Sequence, residues 1–406
     1  MSKNMLDKKK VVWLAHGYGH HGDLMYFSPL LRGYINKFPN TRVFVEPHMI
    51  ERNDKALPLD PCLRVKTLQL RKPSESGDYG RVLDLPSPSL CYHLLKSSPD
   101  LLVLFDFSRV TWLGAFTARL LPNCRVLLLV ESDPKFRGVH HQGIQLAVRK
   151  LIARQADALL TNNHHGEAYL TQTLGADRER IIARPYLTSQ PGRAWMPADD
   201  RGWEAPTARP VEFLFMNSIN HRKGVDYMIR AIGALDPERR KAMHLRIVGD
   251  GPQRPEVERL TDELNLRETI EFVGSVPYGR IADYYRTADV FVAPTLRDYR
   301  SLTGFEALSF AMPILMSCYD GAHEEVVDIE KNGVIFDPRN TPDFAAKFAW
   351  FIDNRARLPE MRRVSMEINQ KFTVEHAVDN LAFASEQALS RHQRHVPASR
   401  AIDNAM

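Results

Sequence analysis

No apolar run in this chain approaches the roughly eighteen uninterrupted residues that a membrane-spanning helix needs. Cysteine is scarce: Cys62, Cys91, Cys124 and Cys318 stand far apart, with no CxxC and no Cys/His ligand cluster. That pattern speaks against a disulfide framework and a structural zinc, and fits reduced thiols in a cytosolic setting. The opening MSKNMLDKKK has neither the longer apolar stretch nor the small-residue cleavage site of a secretory leader, so the chain reads as cytoplasmic. The glycine-rich loop after the first strand-like run, HGYGHHGD (His16–Asp23), lacks the full GxGxxG spacing and a well-placed acid for an adenosine ribose. A nicotinamide-binding domain is therefore a poor reading. His16, His20 and His21 of that loop have no carboxylate-rich partner motif, and no metal site is read there. Basic stripes interleaved with aromatics are also missing, which argues against a nucleic-acid partner.

What is present is the composition of a folded protein of 406 residues, 44% hydrophobic and 25% charged, with a net charge of +5. That length suits two domains. Strand-like runs recur at Val11–Ala15, Arg42–Glu46, Leu101–Phe107, Arg125–Glu131 and Ala156–Thr161. Between the last two, Ile144, Val148, Leu151 and Ile152 recur at helical spacing and predict an amphipathic helix. Near-continuous apolar strands alternating with helices signal a parallel sheet covered on both faces. The period breaks over Thr188–Pro210, which is rich in Pro, Gly and charge. A second series follows at Glu212–Asn217, His244–Gly251, Ile270–Val276, Asp289–Pro294, Pro313–Ser317 and Gly333–Pro338.

The fold class expected is α/β: two Rossmann-like, doubly wound parallel-sheet domains facing a cleft. The divisions read as a first domain over 1–190, a linker over 191–210 and a second domain over 211–370. A helix over 371–390 would pack back on the first domain, and 391–406 reads as a flexible tail. Ligands in such sheets lie at the carboxyl ends of the strands.

Three segments of the second half could carry chemistry. In PTLRDYRSLTGFEALSFAMP (Pro294–Pro313), a polar loop with Asp298 follows a strand, and a helix is expected to begin near Thr303 or Gly304 with Glu306 in its first turn. A helix N-terminus offers free N–H groups to a diphosphate, Gly304 would let backbone approach the ligand, and carboxylates accept from sugar hydroxyls. Taken alone, Asp298 reads equally as a turn residue and Glu306 as a complement to the helix dipole. In NSINHRKG, Arg222 and Lys223 follow a strand and could neutralise a diphosphate leaving group; a solvated basic turn is the plainer alternative. Gly249-Asp250-Gly251-Pro252 allows a tight turn at the mouth of the same sheet.

These motifs in this order resemble the group 1 glycosyltransferases of the GT-B fold (glycosyltransferase family 4). The resemblance rests on Arg222–Gly224, Gly249–Pro252, FVGSV (Phe272–Val276), ADVFVAP (Ala288–Pro294), Asp298 and Glu306 with seven residues between them, GAHEEVV and NGVIFDP. It is looser in the first half, through the strand rhythm, Gly17 and Gly19, and ADALLTN followed by RIIARPY. The resemblance implies a retaining, metal-independent hexosyltransferase that binds a UDP- or GDP-sugar as substrate, without a cofactor, mainly in its C-terminal domain. By position, Glu306 would hold the ribose and Asp298 the donor sugar. Lys223 and Arg222 would meet the diphosphate, with the backbone of Leu302, Thr303 and Gly304. Three departures stand out. Asp298 replaces a glutamate, Ser218 an arginine, and Ser301 a glycine. In the first domain, Glu131-Ser132-Asp133-Pro134 replaces a histidine-bearing loop and is expected to face the cleft. Glu131 or Asp133 then becomes a catalytic candidate beside Lys223 and Asp298, although either could equally be a cap or turn residue.

The implied acceptor is a glycan, which could be lipid-linked, in bacterial polysaccharide assembly. Basic terminal segments with Tyr26 and Phe27 would suit peripheral contact with the inner face of the plasma membrane. Two other readings remain: a sugar-nucleotide epimerase or phosphorylase on the same fold, and a degenerate, non-catalytic nucleotide-binding or interaction protein.

Overall fold

The computed structural model describes residues 6–16, 27–51, 53, 55–71, 81–131, 142–191 and 204–391. The first half builds β1 (Val11–Leu14), β2 (Thr41–Phe44), β3 (Leu59–Asp60), β4 (Val65–Arg71), β5 (Arg81–Pro86), β6 (Leu101–Phe105), β7 (Arg125–Val130), β8 (Ala158–Thr161) and β9 (Ile181–Ala183). Seven of these form one parallel sheet in the order β3-β2-β1-β6-β7-β8-β9, and β4 and β5 pair antiparallel beside it. The second half builds β10 (Val211–Met216), β11 (Met243–Val248), β12 (Ile270–Gly274), β13 (Val290–Ala293), β14 (Ile314–Ser317) and β15 (Gly333–Phe336). They form a parallel sheet in the order β12-β11-β10-β13-β14-β15. Each order reverses once, at β1/β6 and at β10/β13, and opens a crevice at the strands' carboxyl ends.

Alternation drives this layering. In β1, Trp13 joins the core on one face of the first sheet while Val12 and Leu14 join the core on the other. The second sheet is likewise covered on both faces. The helix Val374–Ser390 crosses back and lies along Phe27–Lys37 of the first domain. Gly33 makes that contact possible, because a Cβ there would stand 2.5 Å from Val378 Cγ2. The buried Tyr34 hydroxyl and Ser385 Oγ, 2.9 Å apart, fix the pairing of the two helices.

Two expectations are corrected. The predicted helix forms over Gly143–Gln155, but only part of its apolar stripe, Val148 and Ile152, packs on the core. Ile152 and Ala153 are buried, whereas Ile144 and Leu151 are exposed, at 81% and 40%. Phe27 is no surface aromatic; it is buried edge-on against Phe105 at a centroid distance of 5.6 Å. Tyr26 and the tail beyond 391 lie outside the described residues. No helix among the described residues is long and apolar enough to cross a membrane.

Candidate active site

The carboxyl ends of β10 and β13 bring Arg222, Lys223 and Asp298 together. Asn220 caps the short turn His221–Lys223 by accepting from Lys223 N, and Gly224 closes it with φ 68°. That conformation suits glycine, and a Cβ there would strike Pro294 O at 2.2 Å. The turn delivers Lys223 Nζ and Arg222 Nη1 to the same oxygen, Asp298 Oδ2, at 2.8 and 2.7 Å. All three side chains are at least 86% buried, with exposures of 6%, 13% and 14%. Burial alone would raise the Asp298 carboxyl. The charges of Lys223 and Arg222 outweigh it and hold the group well below the usual carboxylate range. The cluster carries two cations and one anion, so it has a net positive charge in a poorly hydrated place.

The loop after Asp298 is held from below by a residue the sequence reading did not single out. Asp320 is fully buried and accepts from Ser301 N at 3.2 Å, from Ala322 N at 3.0 Å and from the Ser301 hydroxyl. Its carboxyl is pushed up, first by burial and then by the charge of Asp298. Ser301 therefore has a use that a glycine could not supply: its hydroxyl satisfies a buried carboxylate. A small cleft opens beside this loop, lined by Asn217, Lys223, Thr295, Ser301, Thr303 and Asp320 among others.

The following helix runs from Leu302 to Ser309, so Glu306 lies in its second turn, not its first. Glu306 is 3% exposed and does not complement the helix N-terminus. Its two oxygens accept from Ser189 Oγ and Tyr285 OH, each at 2.9 Å. Burial, only partly offset by those two bonds, raises its carboxyl to about 7. Gly304 also departs from expectation. It turns toward β14, where a Cβ would stand 2.8 Å from Met316 Cε, so its missing side chain serves helix packing rather than ligand approach. Leu302 and Thr303 are half-buried at the helix start. Gly249 and Gly251 lie under the β10 loop, where Cβ atoms would strike Asn217 O at 1.9 Å and Ile219 O at 2.2 Å. They permit two loops to touch backbone to backbone. Ser218 is exposed and its Oγ accepts from Asn220 Nδ2 at 2.9 Å, within the loop and apart from Asp298.

On the first domain, Glu131 directly follows β7, and its charge acts on Tyr299, whose phenol is raised chiefly by burial. Asp133, Gly17 and Gly19 lie outside the described residues. His16 Nε2 is 3.2 Å from Asp84 of β5.

A seam joins the two domains beside the site. Arg300, with its side chain 2% exposed, donates to both oxygens of Glu325 at 2.8–3.0 Å and to Leu187 O at 2.6 Å. Its guanidinium also stacks on Phe305 at 3.9 Å. Asn163 of the first domain donates to Glu325 at 2.8 Å. Sequence reasoning missed Arg300, Asp320 and Ser189. Glu325 was visible inside GAHEEVV, but its partners are 25 and 162 residues away.

Residues 200–371 match the family described as glycosyl transferases group 1. The C-terminal domain is a group 1 glycosyl transferase domain. The chain is similar to D-inositol 3-phosphate glycosyltransferase 2 of Catenulispora acidiphila, 27% identical over 232 residues, which span 53% of each chain. It also matches the alpha-monoglucosyldiacylglycerol synthase of Acholeplasma laidlawii, 34% identical over 90 residues and 22% of each chain. Its sequence matches thus reach about half the length of such curated relatives, or less. Anabaena HepE, solved with UDP, superposes with a TM-score of 0.69 at 14% identity, covering 92% of this chain and 98% of that one. Sucrose-phosphate synthase of Thermosynechococcus elongatus gives 0.63 at 19% identity, covering 94% and 99%. The two-domain fold is GT-B.

Proposed function

We propose that this protein is a glycosyltransferase that moves a hexose from a UDP- or GDP-sugar to a glycan acceptor. The observation that carries the reading is the convergence of Lys223 and Arg222 on Asp298 at the strand ends of the group 1 domain. Glycosyl transfer from a nucleotide needs charge stabilisation of the departing diphosphate above all. Two buried cations supply it in the place where a divalent ion would otherwise stand, which favours a metal-independent reaction. In the apo state Asp298 occupies both cations. An arriving diphosphate takes them over, and Asp298 is then free to accept from a donor-sugar hydroxyl. Glu306 would meet the ribose once Ser189 yields its place. Retention is the stereochemistry implied by the family resemblance. The test is transfer from UDP- and GDP-sugars by wild type, Lys223→Ala and Glu306→Gln, with the anomer of the product read by NMR. Full activity in both variants would remove the assignment, and an inverted product would remove retention.

The acceptor reading is sharpened by one surface. Helices Ser89–Ser97, Arg109–Ala118 and Gly143–Gln155 cover the same face of the first sheet. They contain Lys96, Arg109, Arg149, Lys150 and Arg154 and not one acidic residue. Their outer sides expose Tyr92, Leu95, Phe116, Ile144 and Leu151, and Leu120 is exposed just after the second helix. Apolar side chains set among cations suit an anionic bilayer surface, and hence a lipid-linked acceptor. Sedimentation with phosphatidylglycerol vesicles should carry the protein down, and phosphatidylcholine vesicles should not. Leu120→Glu with Ile144→Glu should abolish the binding; unchanged binding would discard this surface.

A further inference from the structure

Besides the proposed donor site, the interdomain seam holds a second cluster of ligand-bearing side chains. His164 and His165 open the helix His164–Ala168 at the carboxyl end of β8. Glu324 comes from the other domain, in the turn His323–Val326 that follows β14. Glu324 Oε2 lies 3.0 Å from His164 Nε2 and 3.3 Å from His165 Nε2. The two imidazoles overlap with centroids 4.0 Å apart at 37°. All three ligand atoms fall within 4.8 Å of one another, and no other such cluster exists among the described residues.

From this we infer a binding site for a zinc-like divalent transition ion, formed by His164, His165 and Glu324 and closed only when the two domains meet. The donor set decides the class of ion. Two imidazoles and one carboxylate suit Zn²⁺ and its neighbours, and not the all-oxygen surroundings of Ca²⁺ or Mg²⁺. Distances agree: ligands about 2.1 Å from a tetrahedral centre stand about 3.3 Å apart. Both N···O separations already lie near that edge, and the three ligand atoms lie within 4.8 Å of one another. Side-chain exposures of 64%, 24% and 40% leave room for ion entry and for a water as fourth ligand.

The backbone around the cluster is preorganised. Asn163 accepts from Gly166 N at 3.2 Å to cap the histidine helix and donates to Glu325, the neighbour of Glu324. Gly166 sits so close to Thr161 that a Cβ would stand 1.7 Å from its Oγ1, which fixes the helix against β8. An ion held by ligands from both domains binds the closed arrangement in preference to an open one, and so shifts that equilibrium toward closure. This site does not depend on the donor assignment, because none of its ligands is among the residues assigned to the donor.

The test uses the full chain stripped with chelator, titrated with Zn²⁺ by calorimetry and with Co²⁺ by visible absorption. Expected are one equivalent of ion and the intense bands of tetrahedral cobalt. His164→Ala and Glu324→Gln should each weaken binding by at least the about 10–100-fold that loss of an outer-shell partner costs. Small-angle scattering should show the wild type contracting on Zn²⁺, with no contraction in Glu324→Gln. Circular-dichroism melting confirms that the variants fold. No uptake by the wild type, uptake unchanged in both variants, or uptake without contraction would each overturn the bridging site.

Discussion

Asp298 is the residue on which the proposed chemistry turns, because it engages both cations that a diphosphate would need. Lys223→Ala should lower transfer by about 100- to 1000-fold, the loss seen when one preorganised charge stabiliser is removed. Asp298→Asn separates two roles. Freed of the carboxylate, Lys223 and Arg222 should bind free UDP or GDP several-fold more tightly in calorimetry while transfer falls. Weaker nucleotide binding in Asp298→Asn would contradict the competition. Glu306 gives a signature in stability. Its folded-state value of about 7 exceeds its ordinary 4.5, so the folded protein holds this proton more tightly than the unfolded chain. The contribution is fully present below pH 4.5 and is lost as pH rises through 7, a change of about 3 kcal/mol. In thermal melts from pH 4.5 to 8, wild type should lose stability across that window relative to Glu306→Gln. Parallel pH profiles would show that Glu306 is not raised.

At the scale of elements, the loops after β10, β11 and β13 form one mouth, and their glycines differ in what they permit. Gly249 has φ 140° and faces the Asn217 carbonyl, a rigid obstacle. Gly304 faces the flexible end of Met316, with Val326 at ordinary contact distance. Gly249→Ala should therefore destabilise severely, by more than about 3 kcal/mol, while Gly304→Ala should cost about 1 kcal/mol. Denaturant titration of both variants ranks them, and the reverse order would refute the packing account. The sequence showed all four glycines in loops or helix starts, but not what each one faces. The same limit applies to the helix Gly143–Gln155. Its 3.6-residue period was legible, yet which side met the sheet depended on the neighbouring strands. Ile152 and Ala153 fill that contact and leave Ile144 outward.

For the whole molecule, closure depends on the Arg300–Glu325–Asn163 seam and on Ser189 reaching Glu306 from the first domain's last segment. Breaking a buried ion pair from one side costs about 3–5 kcal/mol, because the remaining charge stays buried without its partner. Arg300→Met should therefore lower the melting temperature and enlarge the radius of gyration in small-angle scattering. An unchanged radius would show that the helix Val374–Ser390, docked through Gly33, holds the domains together without the seam.

The sequence by itself determined the two parallel sheets, the order of the motifs in the second domain and the placement of Arg222, Lys223 and Asp298 in loops at strand ends. These follow from local information, since periodicity and turn chemistry act over a few residues. Only the tertiary structure decided that both cations share one carboxylate oxygen, that Asp320 and Ser301 hold the loop, and that Glu306 is enclosed by Ser189 and Tyr285. It also decided that His164, His165 and Glu324 meet. Those contacts join residues from 19 to 160 positions apart. Such partners are selected by how two sheets and their crossing helices pack, and no local pattern in the chain encodes that distance.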